Sequence, residues 1–241
     1  MSDIQQFGTY FTFDDIVSNA YGVWISGTGT YDAPVRDVES VSIPGKSGDL
    51  LMDNGRFDNI KITYPCFISR QFDTRFDLFK AAMLSKRGYF MLTDTYHPGE
   101  FRMASYTGGI APKTGPYNKS GEFDIAFDCM PQRFLVSGNI PVTFSADGTI
   151  TNPTLYAARP LITVYGSGTV GVGGVAVTVK KNDFDYIDID CAVMDAHFGA
   201  NNANSYITIS GEFPVLEAGE TSIRMTDNIE EVIITPRWWT V

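Results

Sequence analysis

The chain has 241 residues, of which 44% are hydrophobic and 19% are charged, a composition that excludes wholesale disorder. Lysine and arginine total 18 and aspartate and glutamate total 28, which gives a formal net charge of −10 at pH 7. A protein this acidic repels phosphate backbones and anionic membranes, so we expect neither specific binding to nucleic acid nor docking on such membranes.

The amino-terminal sequence predicts no secretory signal, because residues 1–8 (MSDIQQFG) have neither a basic start nor an apolar core. No apolar run approaches the roughly 20 residues of a membrane-spanning helix. The three cysteines, Cys66, Cys129 and Cys191, match neither a disulfide framework nor a CxxC motif. We therefore expect all three to be reduced thiols in the core of a protein made in a reducing compartment.

Alternating apolar and polar residues predict that most of the chain forms β-strands. This period places one set of side chains in a core and the other toward solvent. In chain order, the alternating segments are residues 60–64, 123–129, 175–179, 186–191, 206–209 and 232–235. The predicted fold class is therefore mainly β, with glycines and prolines supplying the turns.

One segment, residues 73–86, predicts an amphipathic α-helix instead. Its apolar residues recur at helical spacing: Phe76, Leu78, Phe79, Ala82 and Met83. Asp73 or Thr74 is the expected N-cap, Lys86 and Arg87 suit the negative end of the helix dipole, and Gly88 is the expected left-handed stop.

A change of composition between residues 135 and 160, toward serine, glycine, asparagine, threonine and proline, predicts a domain boundary. We predict an N-terminal β-domain with one α-helix at residues 1–136. Residues 137–241 contain at least six short strands separated by turn residues, which is typical of a β-sandwich.

Two glycine-containing motifs resemble nucleotide-binding loops but lack the context such loops need. Residues 166–171 match GxGxxG, yet residues 175–179 predict a strand soon afterwards, where a dinucleotide site needs a helix. Residues 43–48 (IPGKSG) resemble the end of a P-loop, but Ser40 stands where that motif needs its first glycine. We interpret the first as a glycine-rich hairpin turn and the second as a tight turn between strands, and we expect no cofactor.

The acidic and imidazole side chains form no recognisable catalytic or metal-binding pattern. Asp188 and Asp190 point the same way from one predicted strand, but no calcium-loop spacing accompanies them, so a solvated strand face is the favoured interpretation. His97 and His197 are the only histidines, too few for a His-based zinc site, and neither has the context of a catalytic triad. The sequence predicts no enzyme and no metal site.

Two adjacent tryptophans, Trp238 and Trp239, are candidate platforms for stacking on a sugar ring. Adjacent residues of a strand face opposite sides, so at most one of them can be exposed while the other packs inward. Burial or a place in an interface is the favoured interpretation of both, with glycan stacking as the alternative.

The order of several segments resembles the distal tail proteins of long-tailed, non-contractile phages that infect Gram-positive bacteria, and of related prophages. Together these segments span nearly the whole chain. They are FDDIVS at 13–18, ESVSIPGKSGDL at 39–50, GYFMLTD at 88–94, FDIAFDCMPQRFL at 123–135, RPLITVYGSG at 159–168 and PRWW at 236–239.

The resemblance implies a structural virion protein of the tail tip, made in the host cytoplasm. It implies that the N-terminal domain assembles with copies of itself as a six-fold ring, and that the C-terminal sandwich is galectin-like. The ring would join the tail tube protein to the tail-tip or baseplate hub protein, and DNA would pass through its channel without specific binding. The alternative function is a carbohydrate-binding module that contacts host surface glycan through the C-terminal sandwich.

Overall fold

The computed structural model describes residues 8–29, 31–181, 183–226 and 228–241. Residues 1–7, on which the prediction about a secretory signal mainly rests, lie outside these ranges. The described chain divides into two compact units, residues 8–133 and 134–240. This division falls three residues before the boundary expected from the sequence.

The first unit is built on an antiparallel sheet. Its strands are β1 (Phe11–Phe13), β2 (Ile16–Val17), β3 (Trp24–Ile25), β4 (Arg36–Val41), β5 (Leu50–Phe57), β6 (Ile60–Ile68), β7 (Phe90–Asp94), β8 (Glu100–Ser105), β9 (Lys113–Thr114) and β10 (Gly121–Leu135). The main sheet has the order β2-β1-β7-β8-β10-β6-β3, and β9 also pairs with β10. Strands β4 and β5 form a separate two-stranded sheet.

The longest ladder joins β6 and β10, from Gly121 opposite Ile68 to Cys129 opposite Ile60. Along both strands every second residue is buried, which confirms the alternation predicted for residues 60–64 and 123–129. The buried residues form the core of the first unit. Among its aromatic members, the ring centroid of Phe127 lies 5.4 Å from that of Phe11 and 5.1 Å from that of Phe13.

The predicted helix is present as α1 (Phe72–Ser85), and it is the one α-helix among the described residues. It buries Phe72, Phe76, Phe79 and Met83, spaced three or four residues apart as one helix face requires. Leu78 was expected among the apolar residues of this helix, but it lies off that face and is 60% exposed.

The predicted caps of α1 are wrong. Gln71 is the N-cap, with φ of 55° and no side-chain capping bond, and Asp73 lies inside the first turn. The first helical N–H, that of Phe72, instead donates to the carbonyl of Lys119 at 3.3 Å, so a tertiary contact replaces a local cap. The C-cap is Lys86, and Gly88, although its φ is +104°, lies two residues beyond it.

The second unit contains two sheets that share one apolar core. Its strands are β11 (Val142–Phe144), β12 (Gly148–Asn152), β13 (Leu161–Gly166), β14 (Gly168–Val172), β15 (Val175–Val179), β16 (Tyr186–Asp190), β17 (Asp195–Phe198), β18 (Asn201–Asn202), β19 (Ile207–Ile209), β20 (Gly219–Met225), β21 (Ile229–Thr235) and β22 (Trp239–Thr240). The six-stranded sheet has the order β11-β21-β13-β16-β17-β18, the five-stranded sheet has the order β12-β20-β14-β15-β19, and β22 belongs to neither. The predicted strands of this half are present, and the mainly β fold class is confirmed.

Short 3₁₀ helices connect some strands. They are Ser18–Tyr21, Pro116–Asn118, Val136–Asn139 and Asn204–Tyr206.

All three cysteines are free and buried, as predicted. Burial raises the pKa of the Cys129 and Cys191 thiols to about 12 and raises that of Cys66 as well. The thiols are therefore neutral apolar side chains of the two cores and poor nucleophiles.

Replacing Phe127 by alanine tests the aromatic core, because this side chain is fully buried against Phe11 and Phe13. We expect Phe127→Ala to lower the free energy of unfolding of the first unit by about 3–5 kcal/mol in a urea titration. Leu78→Ala is the control, and at an exposed site it should change that energy by less than about 0.5 kcal/mol. Equal effects of the two substitutions would contradict this assignment of the core.

Candidate functional site

The most unusual surface of the first unit is the hairpin of β4 and β5, which we call the arm. The two strands pair antiparallel with Val41 opposite Leu50 and Glu39 opposite Met52. Nearly every residue of both strands is exposed, so the arm has no core of its own. A two-stranded sheet without a covered face is marginally stable in water.

The tip of the arm is the segment that resembles a P-loop, and it is a tight turn, as predicted. The N–H of Lys46 donates to the carbonyl of Ile43 at 3.1 Å, with Pro44 and Gly45 between them. Gly45 has φ of +81°, so this is the arrangement of a type II turn, in which proline precedes a residue with positive φ. No helix follows the turn, so it cannot cradle a phosphate as a P-loop does.

Cross-strand polar contacts hold the arm in register. Asp37 accepts hydrogen bonds from Arg56 Nε at 2.6 Å and from Asn54 Nδ2 at 3.0 Å, and these bonds lower the pKa of its carboxyl. Arg36 pairs with Asp53 at 3.2 Å diagonally across the two strands, because Asp53 lies opposite Val38. Two carboxylates of the arm, Asp37 and Asp53, are thus each paired with an arginine of the other strand.

Both faces of the arm carry exposed apolar side chains. Val41, Leu50 and Met52 lie on one face, and Leu51, which is 69% exposed, lies on the other because adjacent strand residues face opposite sides. Exposed apolar patches of this kind are typical of interaction sites. We did not predict this patch, although three consecutive apolar residues at 50–52, without alternation, were a signal in the sequence.

The base of the arm is fixed to the first unit. The N–H of Asp58 donates to the carbonyl of Val35 at 2.9 Å and closes the hairpin. Asn59 Nδ2 then donates to Tyr89 Oη at 2.8 Å and to Asp128 Oδ2 at 2.9 Å. The arm is therefore presented in a defined position by the outward face of β10.

Strands and not a helix follow the GxGxxG motif, as predicted, but the motif differs from the hairpin turn that we expected. Gly166 ends β13 in the six-stranded sheet, and Gly168 begins β14 in the five-stranded sheet, so this turn carries the chain from one sheet to the other. The hairpin turn lies one strand later, at Gly173 and Gly174 between the paired strands β14 and β15. At Gly166, with φ of +93°, a Cβ would lie 2.5 Å from the carbonyl oxygen of Asn228, which explains the glycine.

The two aspartates of β16 are half-buried and paired, where the sequence suggested a solvated face. Asp190 accepts a bidentate contact from Arg237 at 2.7 and 2.9 Å, and this interaction lowers the pKa of the carboxyl. Asp188 accepts a hydrogen bond from the Thr163 hydroxyl at 2.5 Å. His197 lies on the next strand, β17, whereas His97 lies in the loop after β7.

The two tryptophans have different environments. Trp238 is 5% exposed in the core of the second unit and has no face to offer a sugar. Trp239 is partly buried, its ring stacks on Tyr156 with centroids 4.5 Å apart, and its indole N–H donates to the carbonyl of Ala157 at 3.0 Å. Glycan stacking by Trp239 stays a prediction.

A small polar cavity in the first unit is the place where charged and imidazole groups converge. Tyr64 Oη donates to Asp94 Oδ2 at 2.6 Å, and Asp94 Oδ1 lies 3.0 Å from His97 Nδ1. Burial and the neighbouring Asp94 carboxylate raise the pKa of the Tyr64 hydroxyl. The cavity has a volume of about 20 Å³, which is room for a water molecule.

Among the described residues, no group of three or more histidine, cysteine, aspartate or glutamate side chains is arranged to hold a metal ion. Within the same ranges, no helix has both the length and the apolarity needed to cross a membrane.

The fold is similar to that of a phage tail protein over nearly the whole chain. The crystal structure of the SPP1 Dit protein, described as a paradigm of the hub adsorption apparatus in Gram-positive-infecting phages, matches with a TM-score of 0.72 and 10% identity. The match covers 97% of this chain and 100% of the SPP1 chain. The predicted resemblance to distal tail proteins is thereby confirmed as a likeness of fold.

Chains of the phage P2 baseplate in its activated conformation also match. With calcium the TM-score is 0.48 at 11% identity, covering 95% of this chain and 97% of that one. With strontium it is 0.48 at 13% identity, covering 94% and 98%. No family model matches the chain, and neither does any curated protein.

Removing Arg237, the partner of Asp190, should change how the free energy of unfolding of the second unit depends on pH. Because the folded-state pKa of Asp190 is lowered, its contribution is present above the unfolded pKa of about 3.9 and is lost as pH falls through the folded value. We expect Arg237→Leu to destabilise the second unit by roughly 1–3 kcal/mol at pH 7, measured by urea unfolding, and by less at about pH 3.

The control for this substitution is Arg224→Leu in the exposed part of β20, which should have little effect at either pH. A loss of stability in Arg237→Leu that does not diminish on acidification would show that the pair with Asp190 is not its cause.

Proposed function

We propose that this chain is a structural subunit of a phage tail tip, where it forms a ring that connects the tail tube to the hub of the adsorption apparatus. The arm is the observation that carries this proposal. Its apolar residues on both faces need a covering partner, and the likeness of fold to SPP1 Dit over nearly the full length indicates what kind of assembly supplies one.

A second copy of the chain is the partner that we assign to the arm. An arm that docks on a different surface of its neighbour makes a head-to-tail contact, and such contacts close into a ring when they repeat by rotation. Six copies is the number that the resemblance to distal tail proteins implies. Residues 1–136 form the ring-forming domain in this proposal, and residues 137–241 form a galectin-like β-sandwich.

The net charge of −10 is compatible with passage of DNA through such a ring. Acidic side chains on a channel wall repel the phosphate backbone, whereas basic ones would retain it. The proposal therefore includes DNA as a passing molecule and not as a bound ligand. It places the protein in the virion of a phage or prophage of Gram-positive bacteria, after synthesis in the host cytoplasm, and assigns it no catalytic activity.

Polar substitution of the arm tests the assembly. We expect light scattering on a sizing column to show, over a wide range of protein concentration, a species of about six times the monomer mass of 26.6 kDa. The triple variant Leu50→Ser, Leu51→Ser, Met52→Ser removes the apolar residues while keeping the charged pairs of the arm, so it should be monomeric at every concentration tested.

Leu155→Ser is the matched control, because Leu155 is 90% exposed but lies in the second unit. It should assemble like the parent chain. A triple variant that retains the assembled mass would overturn the role of the arm, and a parent chain that forms a stable dimer would overturn the ring.

A further inference from the structure

One side of strand β6 in the first unit is covered over only part of its length. On the other side β10 pairs with the whole strand, whereas on this side β3 reaches only Cys66 and Phe67. Just beyond β3, the N–H of Ser26 donates to the carbonyl of Pro65 at 2.8 Å. Among the strands that the structure describes, none pairs with residues 60–64 on this side, which we call the open edge.

The backbone groups of Lys61 and Thr63 point toward the open edge. In an antiparallel sheet the N–H and C=O of one residue point to the same side of the strand, and those of the next residue point to the other side. Because the carbonyl of Pro65 points to Ser26, the odd-numbered residues of β6 direct these groups away from β10. Within the described ranges, the backbone N–H and C=O of Lys61 and Thr63 have no hydrogen-bond partner. A strand edge with unpaired backbone groups is a template for pairing with another strand.

Two residues of the strand are consistent with this direction of the backbone. Pro65 has no N–H, yet the ladder with β10 continues through it, because the missing donor would point to the edge. Lys61 has an exposed side chain at the same edge. Lysine on an edge strand discourages indiscriminate pairing. The open edge is therefore suited to a strand that carries carboxylates.

The arm has the properties that such a strand needs. In the part of the chain that the structure describes, its two strands pair only with each other, so each has an outer edge whose backbone groups are free to pair. Its exposed carboxylates Glu39 and Asp49 make no salt bridge with a described residue, and neither does Lys61. A strand of the arm that lies along the open edge can place a carboxylate beside that lysine.

We propose that a strand of the arm of one copy pairs with the open edge of the next copy and extends its main sheet by strand addition. This inference rests on the proposed ring and names the surface that receives the arm. The arm and the open edge are different surfaces of the chain, so their contact is head-to-tail and can repeat around a ring. The added strand gives partners to the backbone of Lys61 and Thr63. It also turns one apolar face of the arm toward the core that Ile60 and Ile62 already cover.

Thr63→Pro tests the open edge in the full chain, because proline removes the backbone donor and its ring obstructs a pairing strand. The N–H of Thr63 is not used in the ladder with β10, so the variant should keep a melting temperature close to that of the parent chain. In light scattering on a sizing column it should be monomeric at concentrations where the parent chain assembles. Thr63→Val is the matched control, since valine keeps the N–H and suits a strand, and it should assemble like the parent chain.

The outcomes separate this inference from the proposed function. A folded Thr63→Pro chain that assembles like the parent chain would overturn pairing at the open edge while leaving the ring in place. Loss of assembly in Thr63→Val as well would show that the side chain and not the backbone matters, and would also overturn it. A parent chain that is monomeric at every concentration would overturn the proposed self-assembly itself, and this inference with it.

Cross-linking identifies the segment that occupies the open edge. In a chain with Ser40→Cys on the arm and Lys61→Cys on the edge, a short bismaleimide should join successive copies into covalent oligomers on a denaturing gel. The three native cysteines are buried and should not react. The same two cysteines in a chain that also carries Thr63→Pro are the control and should give monomers. An assembled double-cysteine chain that yields no cross-linked oligomer would show that another segment fills the edge, which would overturn the inference.

Discussion

The pairing of β10 with β6 is the interaction on which the first unit depends. Along β10, alternate side chains point into the core, where Phe123 contacts the helix through Phe79 and Phe127 contacts the rings of β1. The residues between them point outward, and one of these, Asp128, holds the base of the arm through Asn59. Adjacent residues of a strand point to opposite faces. The single strand β10 therefore contacts the core with one face and the base of the arm with the other.

The arm and the core use apolar side chains in opposite ways. In the core, burying a side chain such as Phe127 contributes a few kcal/mol to folding. In the arm, Leu50, Leu51 and Met52 contribute no such energy to the isolated chain, since they stay in water. The same transfer free energy is available to an assembly that covers them. This free energy opposes the mutual repulsion of acidic subunits, and the pairing of Asp37 and Asp53 with arginines limits that repulsion at the arm.

Local patterns in the sequence were sufficient to predict the strands, the helix and the burial of Phe76, Phe79 and Met83. These features repeat with a period of two or of 3.6 residues and need no knowledge of distant contacts. The caps of α1 could not be predicted, because Lys119, far along the chain, satisfies the first N–H of the helix. The passage of the chain from one sheet to the other at Gly166 was not predicted either. A tight turn has the same sequence pattern whether the next strand joins the same sheet or a different one.

The outer face of the six-stranded sheet shows most clearly where prediction from the sequence stops. Asp188 alone looks like a solvated strand residue, and His197 alone looks like a loop or edge residue. Their proximity, and that of Thr163, follows from the register of three strands, which only the folded sheet defines. The sequence instead drew attention to Trp238 and Trp239, because adjacent tryptophans are visible without a structure. Once the sheets are paired, Trp238 is part of the core, and the half-buried Asp188 lies beside Thr163 on the middle strands of the six-stranded sheet.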